Sequence, residues 1–252
     1  MTDVGKQAGG GLASIPRSAA IFGASGGIGA AITRSLCSEG CKTVFAGSRV
    51  GEYDQDGRAI PFVFDLRDEA SIADAAASMR ADPPQWVIVA SGVLTLETGA
   101  GPERTYKRLD SATMAQVLAI NTIGPALIAK HMLPLMPRDK PFVFASLSAR
   151  VGSISDNRLG GWHSYRASKA ALNMLIKNFA IEMGRTHPQG VVVGLHPGTV
   201  DTQLSAPFHK GLPKGQLNKS SEAADRLIRV LSSLGPEESG NVFDFAGKHI
   251  PA

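Results

Sequence analysis

The sequence predicts an α/β domain in which a parallel sheet is covered by helices on both faces. Three observations predict it. Short, continuously apolar runs alternate along the chain with stretches of helical periodicity, and runs of that kind mark strands buried on both sides. A length of 252 residues with 43% apolar and 19% charged side chains suits one soluble domain with a sizeable core. A glycine-rich turn joins the first such strand to the first helix, the commonest opening of a sheet of this type.

The elements follow in order. Residues 1–17 carry Gly9-Gly10-Gly11 and little apolar pattern, so a flexible lead-in is expected before a single domain over 18–252. Ala19 to Phe22 reads as the first strand, entering Gly23-Ala24-Ser25-Gly26-Gly27-Ile28-Gly29 and then a helix from Ala30 to Ser38. Strands at Thr43–Ala46 and Ile60–Phe64 come next, then a helix from Asp68 to Arg80 that Pro83-Pro84 stops. Trp86 to Ala90 is a fourth strand, followed by a loop over 91–109 at the sheet edge where ligands bind in open α/β folds.

A helix over 111–136 contains Asn121 and is expected to bend at Gly124-Pro125. Phe142 to Leu147 is the fifth strand. The next helix carries Tyr165 and runs to Gly184; outside the stripe Lys169, Asn173, Lys177 it is apolar over most of its circumference, so it calls for cover on more than one side. Val191–Leu195, a lid-like segment over 203–219, a helix from Glu222 to Leu234 and a last strand at Asn241–Phe245 complete about seven strands.

A formal charge of +4 with scattered basic residues favours a small anionic ligand over nucleic acid. No uninterrupted apolar run reaches the roughly 20 residues of a membrane span, and no secretion signal is legible, so a cytoplasmic protein is expected. Cys37 and Cys41 stand in no metal-like spacing and read as small core residues, and no metal site is expected.

The chemistry gathers at three places. Gly23, Gly27 and Gly29 sit where a strand becomes a helix, a turn that lets a pyrophosphate approach the backbone and meet the unpaired amides of the helix start. The second strand ends in Gly47-Ser48-Arg49 with no acid to hold a ribose 2′-hydroxyl, so NADP is expected over NAD, with Ser48 and Arg49 as its contacts. That missing acid also counts against a methyltransferase using a similar glycine turn. Finally, Tyr165 and Lys169 stand four apart on one helix face. A cation at roughly 5 Å in an effective dielectric of about 20 would lower the phenol by about two pKa units, enough to let it exchange a proton with an alcohol oxygen.

With Asp65 after the third strand, Asn121 in the long helix and Pro197-Gly198-x-Val200-x-Thr202 after the sixth, these motifs resemble the short-chain dehydrogenases/reductases over residues 18–250. The stretches 152–157 and 165–173 look especially like the subgroup that includes the bacterial C-factor signalling protein and the sniffer-type carbonyl reductases. The resemblance implies a Rossmann-type sheet, a nicotinamide cofactor, hydride transfer between a carbonyl and an alcohol, and a homodimer or homotetramer. It gives Tyr165 the proton transfer, Lys169 the tuning of that tyrosine and the nicotinamide ribose, and Asn121 a water-linked proton path. Ser25, Ile28, Asp65, Leu66, Ser91, Gly92, Pro197, Gly198, Val200 and Thr202 would line the cofactor.

Three departures stand out. The serine that the family places three residues before Gly152, to bind the substrate oxygen, is Ala149 here. Ser148 is the neighbouring hydroxyl assigned to that role, with Ser153 the other candidate. Val89-Ala90-Ser91-Gly92 and Phe22 also depart from the family pattern, in ways that concern packing. The expected activity is an NADPH-dependent carbonyl reductase or alcohol dehydrogenase; the alternative is a dinucleotide-binding regulatory or signalling protein that turns over little.

Overall fold

The computed structural model describes residues 15–51, 57–210, 213 and 215–252. Residues 1–14 of the expected lead-in, and positions 211, 212 and 214 of the expected lid, lie outside the described residues. The strands are β1 (Ser18–Phe22), β2 (Thr43–Ser48), β3 (Ala59–Val63), β4 (Trp86–Val89), β5 (Phe142–Leu147), β6 (Gly190–His196), β7 (Thr199–Val200), β8 (Leu217–Asn218), β9 (Val242–Asp244) and β10 (His249–Ile250). The helices are α1 (Gly27–Ser38), α2 (Glu69–Ser78), α3 (Ser111–Leu118), α4 (Gly124–Met132), α5 (His163–Gly184) and α6 (Ser220–Ser233).

The main sheet has the order β10-β9-β6-β5-β4-β1-β2-β3. All its pairings are parallel except that of β10 with β9. The chain leaves β1 outward to β3, then returns to place β4 on the other flank of β1. That reversal opens a crevice at the carboxyl ends of β1 and β4. Apolar side chains alternate to two cores. One lies under α1 and α6, with Ile32, Leu36, Leu227 and Leu231; the other lies under α2, α4 and α5, with Ile72, Ile128, Met132, Leu172 and Ile176.

Several local features differ from the expectations. The eighth strand, β10, exists because Asp244 accepts from the amides of Ala246 and Lys248 and Gly247 takes a φ of 76°, which turns the chain back on β9. The expected lid contains β8, which pairs in parallel with β7 as a separate two-stranded sheet. At Gly124-Pro125, where a bend is expected, the long helix changes its winding. Pro125 has no N–H for the carbonyl four residues earlier, and a π-helical turn over Ala119–Ile123 absorbs that defect between α3 and α4. Gly124 instead permits close packing, since a Cβ there would lie 2.7 Å from Leu66.

The same continuous helical stretch, Ser111–Leu135, is long and apolar enough by length and composition to cross a membrane, which corrects the expectation drawn from uninterrupted runs. Within this fold its apolar residues Val117, Ile128, Ala129 and Met132 are buried. The expected cover of α5 is one-sided. Leu172 and Ile176 face the core, while Met174 and Ile181 are exposed. Cys41 is buried and Cys37 partly so, and among the described residues no cluster of His, Cys, Asp and Glu could hold a metal.

Candidate active site

The floor of the crevice is backbone. Gly23 adopts a φ of +105°, and a Cβ there would lie 2.4 Å from Ser91 Oγ, so β1 and β4 can meet only with glycine at that position. Ser91 Oγ donates to the Phe22 carbonyl at 3.2 Å, which ties the two strand ends together. A Cβ on Gly29 would strike the Gly23 carbonyl at 2.1 Å, and one on Gly27 would strike Thr202 Cγ2 at 2.6 Å. The glycine turn and the segment after β6 are thus opposing jaws. The α1 N-cap, Gly26, offers no side-chain acceptor, and no acidic residue occupies the first turn. Its amides stay available to an anion. These features fit a dinucleotide pyrophosphate.

At the adenosine side Ser48 is buried and accepts from Gly51 N at 3.0 Å. Arg49 is exposed and pairs with Glu97, from the loop after β4, at 3.0 Å. Asp65 accepts from the Arg67 backbone N–H and from Nε and Nη2 of its guanidinium; those bonds hold its carboxyl below the usual carboxylate range. Leu66 is buried beside it. Arg67 and Glu97 went unsingled in the sequence because each acquires its meaning only from a partner brought in by the fold. Phe22, the departure before Gly23, joins an aromatic cluster with Phe62 and Phe64 at 5.0 Å each.

At the other end the helix α5 delivers Tyr165 and Lys169 to one place. Lys169 is 4% exposed, its Nζ donates to the Leu147 carbonyl at 2.8 Å and stands 5.8 Å from the centre of the Tyr165 ring. Gly152 presses on the helix at this turn, where a Cβ would lie 2.8 Å from Lys169 Cβ. Asn121 is fully buried in the π-helical turn. Its Oδ1 accepts from Val93 N and its Nδ2 donates to the Val93 carbonyl, each at 2.8 Å, and Nδ2 also reaches Ser168 Oγ at 3.1 Å. It therefore pins the start of the 91–109 loop to α5. Gly92 leaves room for both, as a Cβ there would meet Asn121 Oδ1 at 3.2 Å and Lys169 Nζ at 3.6 Å.

Two expectations need correction here. Burial pushes the Tyr165 phenol up to about 12, and burial lowers Lys169 to about 8. Loss of water around both groups outweighs the attraction that the four-residue spacing predicts. The phenol is held as an acid at neutral pH. Ser148, assigned to the substrate oxygen, is buried and donates to Asn173 Oδ1 at 2.6 Å, so its proton is already committed to α5. Ser153 makes a longer contact, donating to the Ala252 carbonyl at 3.4 Å and accepting from Asp156 N at 3.1 Å. The nearby Ala149 has no donor to give.

After β6, Pro197 and Gly198 turn the chain, with Gly198 at a φ of +78° against the ring of Phe245. Val200 is buried, and Thr202 stands over Gly27. Thr202 also begins a turn, accepting at its carbonyl from Ala206 N at 3.0 Å. Trp162 and Phe208, neither singled out in the sequence, lie beside the tyrosine. The Trp162 ring is 6.2 Å from that of Tyr165 and 5.1 Å from that of Phe208.

A glycine-floored crevice at the reversal of a parallel sheet, with a tyrosine and a buried lysine at one end, defines a nicotinamide-nucleotide-dependent oxidoreductase. Comparison with known proteins makes the class specific. The family model for short chain dehydrogenase matches residues 17–212, so the chain belongs to the short-chain dehydrogenase/reductase family. The C-signal protein of Myxococcus xanthus is 35% identical over 144 residues, 57% of this chain and 81% of that protein. The NADPH-bound carbonyl reductase from chicken fatty liver superposes with a TM-score of 0.81 at 25% identity, covering 96% of each chain. The carbonyl reductase Sniffer of D. melanogaster shares the fold with a TM-score of 0.80 at 20% identity, over 94% of this chain and 99% of that one.

Proposed function

We propose that the protein is an NADPH-dependent carbonyl reductase of the cytoplasm, with Tyr165 as its acid. The observation that carries this reading is the pair itself: a half-buried tyrosine with the ammonium of a buried lysine 5.8 Å from its ring, where burial makes the lysine charge costly. A cation is retained in such a place for a partner that arrives later. NADPH held over the glycine floor would supply the hydride for the carbonyl carbon. Tyr165 Oη gives its proton to the carbonyl oxygen, leaving a phenolate that the Lys169 ammonium stabilises until a solvent proton replaces the one lost. The reverse reaction returns the same proton to Tyr165. Asn121, with every polar atom engaged by Val93 and Ser168, keeps the 91–109 loop and α5 in register.

Arg49 is the expected contact for the 2′-phosphate, with Ser48 beside it, and the NADPH-bound chicken enzyme supports that preference. The rings of Trp162 and Phe208 favour a carbonyl attached to a flat apolar group. Met174 and Ile181 on the outer side of α5 are proposed as the contact between copies in a homodimer or homotetramer.

A second reading has one observation behind it: Ala149 provides no hydroxyl, and the hydroxyls of Ser148 and Ser153 already have partners in Asn173 and Ala252. The chain would then bind a dinucleotide and signal, as the name of its Myxococcus relative indicates for that protein. NADPH oxidation measured against aldehydes, ketones and quinones separates the two. Turnover with NADPH above that with NADH supports the reductase, and micromolar NADPH binding without turnover supports the regulator.

A further inference from the structure

Glu103 is a buried carboxylate, 6% exposed, in the loop between β4 and α3, and the chemistry above makes no use of it. Its surroundings assign it a task. The helix α5 starts at His163, and its N-cap is Trp162, which has no capping side chain. The amides of the first turn need another acceptor. Glu103 provides it from 61 residues away: Oε2 accepts from Ser164 N at 3.1 Å, and Oε1 accepts from the Ser164 hydroxyl. The Glu103 carbonyl accepts from Trp162 N at 2.5 Å. Three donors of one helix start converge on a single residue, and its carboxylate lies at the positive end of the helix dipole. Burial alone would raise the Glu103 carboxyl, but the bonds from Ser164 and the nearby His163 hold it below its ordinary value, so it is charged where it sits.

The residue it holds is unusual. Trp162 has a φ of 51° and ψ of 42°, the left-handed region that bulky side chains avoid, and among the described residues no other non-glycine residue has a positive φ. A conformation of that kind persists only where the surroundings fix it. Here it sets the Trp162 ring against Tyr165 on one side and Phe208 on the other. Tyr165 follows in the first turn of the same helix.

We propose that Glu103 is a positioning residue that latches the 91–109 loop to the start of α5, fixing the left-handed Trp162 and through it the direction of Tyr165. The proposal rests on the reading of Tyr165 as the acid. Because the contact is loop to helix, a change around Glu103 on substrate entry is felt at the tyrosine.

The test uses the full chain and two variants, Glu103→Ala and Glu103→Gln, with three readouts: NADPH affinity, steady-state kinetics on a carbonyl substrate, and hydrogen exchange at the Trp162 and Ser164 amides. Glu103→Ala is expected to leave the NADPH dissociation constant within about twofold and to lower kcat by about 30-fold, the scale on which a displaced reacting group costs rate. Its two amides exchange at least about tenfold faster while the later turns of α5 stay protected. Glu103→Gln keeps one acceptor, and the Ser164 hydroxyl can rotate to receive from the new amide, so kcat returns to within about fivefold of wild type. Fast exchange with an unchanged kcat in Glu103→Ala would overturn the positioning role, and unchanged exchange would overturn the latch. If the wild-type protein reduces no carbonyl, the functional reading fails separately, and the exchange arm alone decides whether the latch exists.

Discussion

The two ends of the crevice are built on opposite principles. At the adenosine end Arg49 and Glu97 pair in the open, with side chains 64% and 80% exposed. At the nicotinamide end Lys169 and Asn121 are 4% and 0% exposed and are bonded to backbone carbonyls or amides. An exposed ion pair is worth about 0–1 kcal/mol and exchanges readily, so the outer end can give up Glu97 for a phosphate. Groups enclosed in the fold keep one geometry and shifted proton affinities, which is what a proton transfer requires. On the proposed function, selectivity for the cofactor would belong to the outer end, and chemistry to the inner one.

The inner end should respond most. Lys169 is lowered to about 8 by burial, so it is charged at pH 7 and loses its proton as the pH rises through that value. Tyr165 stays protonated to about 12 and does not limit. Reduction should therefore fall by about tenfold per pH unit above about 8. A pH profile of kcat/KM checks this, and a level profile from pH 7 to 10 would mean that the lysine charge is not used. Lys169→Met should remove the inflection and cost about 100-fold or more at pH 7.

A smaller effect, and a gain, is expected at Ala149. Restoring a hydroxyl with Ala149→Ser adds one donor beside the substrate oxygen and should raise kcat/KM for carbonyl reduction by about tenfold, the worth of one such hydrogen bond of about 1.4 kcal/mol. A rate that stays level or falls would show that the substrate oxygen is not bound on that side. The outer end should respond least. Glu97→Gln frees Arg49 and removes a negative charge from the path of the 2′-phosphate, so the KM for NADPH should drop by about two- to fivefold at low salt, with little change for NADH and none in kcat. Equal changes for both cofactors would remove Arg49 from phosphate recognition.

What the sequence made legible follows the same division. Gly23, Gly27 and Gly29 could be read because a glycine turn is a local backbone demand, and Tyr165 with Lys169 because a helix fixes the spacing of four. The alternation of apolar runs with helical stretches was enough for the parallel sheet. Glu103 left no local signal, since its partners are 61 residues away. The same holds for Trp162, whose left-handed backbone is set by a loop from another part of the chain. Ser148 read as a free hydroxyl because its partner, Asn173, comes from the next helix. The upward shift of Tyr165 was missed because spacing reports a neighbouring charge but not the water that folding removes.

The central claim is that the Tyr165 phenol gives the proton. Tyr165→Phe removes the hydroxyl and leaves the ring that packs against Trp162, so NADPH binding should persist within about twofold while kcat falls by about 1,000-fold or more, within the range that general acids supply. A Tyr165→Phe enzyme that binds NADPH and still reduces a carbonyl at a near wild-type rate would contradict the account.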